Sequence, residues 1–165
     1  MDLNPPIPID AIDSDLVLRL GAAAVIGLLL GLDRELRGHA AGLRTHGLIC
    51  FGSAALTVSA LALYHQLDGA RMDVLRIYEG TGAFIGIIGA GLIVFSKGRV
   101  HNLTTAAHLM LAAVVGIACG AGQWPLVAIA VGIGVVMLSL LRAVEQFFPE
   151  RTLGEEEEEE KQQDS

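Results

Sequence analysis

The stretch "GLDRELRGHAAGLRTHGL", residues 31–48, holds the side chains best placed to do chemistry. Asp33, Arg34, Glu35, Arg37 and Arg44 crowd together there, followed at once by Thr45 and His46. Histidine titrates near physiological pH, so His46 and His108, within or at the edge of apolar segments, are functional candidates, with hydrogen bonding between helices as the structural alternative. Arg44 and Thr45 at the mouth of a helix can hold an anion, because the first turn presents unpaired N–H groups. A third reading is purely structural. Asp33 and Arg37 are four apart and can pair on one helix face, or Asp33 and Arg44 can pair across the turn with His46 nearby. A second polar group, Asn102, Thr104, Thr105 and His108, lies in "HNLTTAAH".

Other chemistries find no support. The phosphate-binding pattern G-x-x-x-x-G-K-(S/T) does not occur. The five histidines, at 39, 46, 65, 101 and 108, include no pair four residues apart, and there is no Cys-x-x-Cys. No metal, cofactor or nucleic-acid partner is therefore expected. Neither Ser53 nor Ser139 has a base beside it in the pattern, and enzyme activity is not expected. Cys50 and Cys119 both sit in apolar segments and read as small core residues, with a disulfide or metal pair as the alternative.

The elements that must position these residues read as membrane helices. Of the 165 residues, 53% are hydrophobic and only 18% charged, against roughly 25% charged in soluble domains. Five apolar segments, at about 16–32, 47–64, 80–95, 104–121 and 124–141, approach the roughly 20 residues that cross a bilayer core of about 30 Å. The expectation is an all-α polytopic protein with about five spanning helices in the lipid bilayer. Arg19 and Glu79 fall at segment ends, where long side chains can snorkel. The net charge of −7 belongs to the tails, since eight of the eighteen acidic residues lie at or beyond Glu150. The run "GEEEEEEKQQDS" is too charged to bury a core, so 143–165 reads as a disordered acidic tail behind a membrane domain at 16–142. The leading segment 1–15, "NPPIPID" included, has no basic n-region, so the first helix should be retained.

Orientation follows the positive charges. With the N-terminus outside, eight of the eleven Arg and Lys residues lie on the inner side: Arg34, Arg37, Arg44, Lys97, Arg99, Arg142, Arg151 and Lys161. Only Arg19, Arg71 and Arg76 lie outside. Residues 31–48 then form the cytoplasmic turn of a first helical hairpin. They are echoed sixty residues later, where 31–45 aligned on 91–105 gives five identities, Gly31/Gly91, Leu32/Leu92, Gly38/Gly98, Leu43/Leu103 and Thr45/Thr105. This suggests a parallel repeat of two helical hairpins, a construction known in small transporters. Convergent turn chemistry is the alternative.

Glycines recur at helical spacing: Gly27 with Gly31, Gly82 with Gly86, and Gly116 with Gly120. In lipid such small-xxx-small pairs let helices approach closely. The third segment, "GTGAFIGIIGAG", also carries Gly89 and Gly91 and is expected to be the central, most crowded helix.

Two blocks carry a family resemblance. "GLDRELRGHAAGLRTHGLICFGSAAL", and "GIIGAGLIV" followed by "VHNLTTAAHLMLAAVVGIACGAGQW", resemble the paired signatures of the MgtC/SapB membrane proteins. The likeness covers about 16–142. Asp33 stands where that family usually has Glu, and Asn102 where it usually has Gly. Several members carry a folded cytoplasmic domain after the fifth helix, so the chain reads as a short form lacking it. The resemblance implies a bacterial inner-membrane protein tied to magnesium homeostasis, acid tolerance and, in some pathogens, survival in macrophages. Some members are thought to regulate other membrane proteins. Two functions compete: a regulator working through membrane partners, and a small ion transporter or channel, homo-oligomeric in either case. Central positions are mostly Gly, Ala, Val, Ile and Leu, which favours the regulator.

Overall fold

The computed structural model describes residues 13–39, 41–66, 73, 75–96 and 99–147. Most of the leading segment, the acidic residues beyond 147, and Lys97 and Gly98 lie outside the described residues, as do the expectations made for them. Among the described residues there are five helices: α1 (Ser14–Leu36), α2 (Leu43–Gln66), α3 (Arg76–Leu92), α4 (Leu103–Gly120) and α5 (Trp124–Phe147). Three of them, α1, α2 and α4, are long and apolar enough to cross a membrane. The helix α3 has 17 residues. Apolar side chains such as Val25, Leu29, Ile87 and Ile129 stand more than half exposed, an arrangement stable in hydrocarbon rather than in water. The protein is an all-α membrane protein.

Local rules account for the helix ends. Asp13 caps α1, its carboxylate accepting from the Asp15 N–H at 3.3 Å. At the other end Gly38 takes φ +68°, and the N–H groups of Gly38 and His39 return to the carbonyls of Glu35 and Arg34. That is the 5→2 and 6→1 pairing by which a left-handed glycine closes a helix.

The α1–α2 and α4 packing rests on backbone proximity. Ala23, Gly27, Leu30, Gly31 and Arg34 recur every three or four residues and form the buried face of α1. A Cβ on Gly27 would stand 2.6 Å from Cys50 Cβ, and one on Gly31 2.6 Å from Leu43 Cα. On the other side of α2, a Cβ on Gly116 would meet Ser53 Cβ at 2.9 Å and one on Gly120 the Ala54 carbonyl oxygen at 2.5 Å. Thus α2 touches both α1 and α4 through glycine. Cys50, Ala54, Ala112, Val115, Ala118 and Cys119 fill the space between, with Val127 of α5 against them. Both cysteines are free and buried.

The crowded helix is α4, not α3. Every residue of α4 from Val115 to Gly120 is buried. Helix α3 instead leans on α4 through Ile85, Leu109 and Ala113, and a Cβ on its Gly89 would sit 3.3 Å from Ala106 Cβ. Around Gly82, Gly86 and Gly91 nothing lies within 4 Å of a Cβ position. Glycine spacing was the reason to expect a central α3. Spacing reports which faces permit close approach, and only the fold supplies the neighbour.

Two further differences have local causes. The third apolar segment does not stay helical to Phe95. After Leu92 the chain turns into an antiparallel ribbon, β1 (Val94–Ser96) with β2 (Arg99–His101), pairing Val94 with His101 and Ser96 with Arg99. The β-branched Ile93, Val94 and Val100 suit extended backbone. Arg19, expected to snorkel, pairs with Asp15 at 2.6 Å and donates from Nη1 to the Gly120 carbonyl at 3.1 Å. It therefore satisfies a carbonyl at the C-terminus of α4.

Asn102 begins α4 at φ +64°, and its Nδ2 donates to the Leu92 carbonyl at 3.0 Å, tying the end of α3 to the start of α4. Asparagine and glycine are the residues that tolerate this left-handed geometry. Asn102→Gly should lose only the hydrogen bond, about 0.5–1.5 kcal/mol. Asn102→Ala should lose a further ~1 kcal/mol of backbone strain. Equilibrium unfolding in detergent measures both, and equal stability of the two variants would refute the backbone argument.

The chain divides into two compact units, 1–131 and 132–165. The second begins within α5 and is helical to Phe147, with Ile133, Val135, Val136 and Met137 exposed.

Candidate functional site

The polar residues of the first signature gather where α1 ends and α2 begins. Arg34 is on the buried face of α1, only 6% exposed, because it continues the Gly27–Leu30–Gly31 stripe by one turn. Its Nη2 donates to Thr105 Oγ1 of α4 at 2.6 Å, and Thr105 is fully buried. A charge-assisted bond of this length is worth more than a neutral one. It also links the two signature blocks across 71 residues of sequence.

Its neighbours have distinct tasks. Asp33 pairs with Arg37 at 3.1 Å on the outer face of the helix, both side chains about one third exposed. Glu35 reaches over the turn, and its Oε2 accepts the Leu43 N–H at 3.0 Å. A carboxylate from α1 thus serves the N-terminus of α2, where a negative charge also meets the positive end of the helix dipole. Gly42 is held tightly here, since a Cβ on it would overlap the Glu35 carboxylate.

His46, one turn into α2, is fully buried. Its Nδ1 donates to the Gly42 carbonyl at 2.9 Å, which leaves Nε2 as the acceptor nitrogen, buried and without a protein partner among the described residues. The His108 ring of α4 stands edge-on to it, centroids 6.4 Å apart. Arg34, Thr105, His46 and His108 therefore form one cluster between α1, α2 and α4, with Asp33 and Arg37 at its edge.

The other candidates fall elsewhere. Arg44 is exposed, and with Thr45 it faces α3 rather than Asp33. Asn102 caps a turn, and Thr104 is exposed. Gly27, Gly31, Gly116 and Gly120 brace the helices below the cluster, while Gly82, Gly86 and Gly91 lie away from it. No group of three His, Cys, Asp or Glu side chains is assembled to hold a metal among the described residues. Sequence reasoning missed Gly42 and the Glu35 cap on Leu43. The signal for the cap was a carboxylate a few residues ahead of a helix start with no Ser, Thr, Asp or Asn before it.

Known proteins resemble this chain over about two thirds of its length. SapB of Bacillus subtilis (strain 168) is 41% identical over 115 residues, covering 67% of this chain and 50% of SapB. YhiD of Escherichia coli (strain K12), named there as a proposed magnesium transporter, is 35% identical over 116 residues, covering 68% of this chain and 54% of YhiD. MgtC of Salmonella typhimurium (strain LT2) is 36% identical over 108 residues, covering 66% of this chain and 44% of MgtC. The chain thus spans about half the length of these curated relatives. No solved structure matches. The model of the MgtC family matches residues 20–147, which include α1 to α5 almost whole and both signature blocks joined by the Arg34–Thr105 bond: this chain belongs to the MgtC family.

Proposed function

We propose that the protein is a bacterial inner-membrane regulator in magnesium homeostasis or in stress and acid adaptation, acting on membrane partners rather than moving ions itself. The magnesium link rests on its relatives, one of which is named as a proposed magnesium transporter. The N-terminus is placed outside and the C-terminus in the cytoplasm, because the positive charges favour that orientation. One observation carries the regulator reading. Apart from the Arg34–Thr105–His46–His108 cluster at one end, the interior between α1, α2 and α4 is closed by glycine-backed contacts at Gly27, Gly31, Gly116 and Gly120, and it is filled mainly by Ala, Cys, Val and Leu. An ion crossing that interior would meet dry, close-packed apolar groups.

The second reading is a small oligomeric transporter for magnesium or another cation. It is favoured by the open Gly82 and Gly86 face of α3, which lets a second copy approach closely. Homo-oligomerisation is part of both readings, and a role in virulence would follow from the regulator.

Flux into liposomes decides between them. Vesicles holding the full chain should take up magnesium and protons no faster than empty vesicles, and affinity purification from native membranes should bring down a membrane partner. Flux well above the control, abolished by Asp33→Ala or Arg34→Gln, would establish the transporter instead.

A further inference from the structure

Between α2 and α3 runs a cavity of about 580 Å³ that no part of the described chain fills. Its α2 wall extends from Arg44 to Leu56 and its α3 wall from Ile88 back to Gly80. Twelve helical residues rise about 18 Å, close to the ~15 Å depth of one leaflet's hydrocarbon. The walls are almost entirely apolar, and the rim residues Leu48, Leu56 and Phe84 are 50–70% exposed, so the opening faces sideways into lipid. Polarity is concentrated at one end. Arg44 and Thr45 stand there, and no carboxylate lies within ion-pairing distance of Arg44 among the described residues. Deeper in, Ser53 and Thr81 offer only short hydroxyls. Thr81 Oγ1 is buried without a hydrogen-bond partner among the described residues.

We propose that this groove holds one acyl chain of an anionic phospholipid from the leaflet on the Arg44 side, with the lipid phosphate on Arg44 and Thr45. Three observations select that occupant. Arg44, with no acidic partner among the described residues and at the first turn of α2, can recognise phosphate by charge-assisted bonds. The length of the groove matches a single leaflet. Its walls are apolar over that whole length apart from two short hydroxyls, which suits one extended hydrocarbon chain. The reading does not depend on whether the protein regulates or transports.

The test uses the purified full-length chain, stripped of lipid in detergent. It is then offered phosphatidylglycerol or phosphatidylcholine of equal chain length, with retention read by native mass spectrometry. One phosphatidylglycerol per chain should be retained, about fivefold in preference to phosphatidylcholine. Arg44→Gln should remove the preference while some binding persists. Arg37→Gln, which changes a cation outside the groove, should leave it intact. Gly52→Leu and Gly80→Leu each place a side chain into the cavity from opposite walls, and nothing lies within 4 Å of either Cβ position to oppose folding. Each should abolish retention of both lipids with helical circular dichroism unchanged. If one variant fails to fold, the other carries the test. Lipid retention unchanged in the folded Leu variants, or a preference that survives Arg44→Gln, would overturn the proposal. So would a lipid-free dimer whose cross-links map to Phe84, because a second copy would then occupy the groove.

Discussion

Thr105→Val should destabilise the protein by about 1.5–3 kcal/mol, since it takes a charge-assisted acceptor from a buried guanidinium. The bond in question runs from Arg34 Nη2 to Thr105 Oγ1 at 2.6 Å, with both residues buried. Interhelical bonds between neutral groups in membranes average nearer 0.6 kcal/mol, so the size of the loss reports whether the charge matters. Thr105→Ser keeps the hydroxyl and should recover most of the stability. Arg34→Met should also destabilise. The double variant should cost less than the sum of the two, because the valine no longer faces a charge. Unfolding in mixed detergent, followed by circular dichroism, measures all four proteins. Strict additivity would show that Arg34 and Thr105 do not act as a pair.

Glycine substitutions should divide sharply by position. Gly116→Val and Gly31→Val force a branched side chain against backbone, at the Cys50 carbonyl carbon 2.9 Å away and at Leu43 Cα 2.6 Å away. Neither obstacle is a flexible side-chain end, so the helices must separate. Overpacking of this kind costs about 1–3 kcal/mol even for small additions. A branched residue at backbone contact should reach or exceed the upper figure, and these variants should be recovered poorly or aggregated. Gly82→Ala and Gly86→Ala meet nothing within 4 Å and replace the poorest ordinary helix former with the best. Within one chain they should be neutral or stabilising by up to about 1 kcal/mol, and any loss should appear only in association between copies, through the face offered above to a second copy. Size-exclusion profiles and unfolding midpoints of the four proteins provide the comparison. Equal behaviour of Gly116→Val and Gly82→Ala would remove the packing argument altogether.

The same contrast shows how far the sequence could be read. Helix number and approximate position follow from the lengths of the apolar segments, and the Asp33–Arg37 pair follows from four-residue spacing. Both are local, and local periodicity is legible. The spacing of Gly82 and Gly86 equals that of Gly27 and Gly31, yet one pair meets open space and the other meets α2. That difference lies in the neighbour and is absent from the pattern. The Arg34–Thr105 bond was illegible for the same reason, although both residues stood out within their own blocks. An Asp33–Arg44 pair across the turn is the alternative that sequence leaves open beside Asp33–Arg37. The structure turns Arg44 toward α3, because α2 begins at Leu43 and sets Arg44 on its exposed side. The ribbon at 94–101 was hidden by composition, since its β-branched residues also satisfy a hydropathy scan for helices.

The carboxylate cap that Glu35 places on Leu43 has a consequence for how the chain enters the membrane. The group that satisfies the start of α2 is synthesised eight residues before it is needed. As α2 emerges, its first turn finds its acceptor waiting, and the first hairpin can partition into lipid as a finished unit. Arg34 follows a different timetable. Thr105 is made 71 residues later, which at about 5–20 residues per second is a wait of roughly 4–14 s. For that interval the guanidinium must remain near the water boundary, where its position in the last turn of α1 keeps it. Docking of α4 then withdraws it from solvent, so the arrival of the second hairpin is what completes the first.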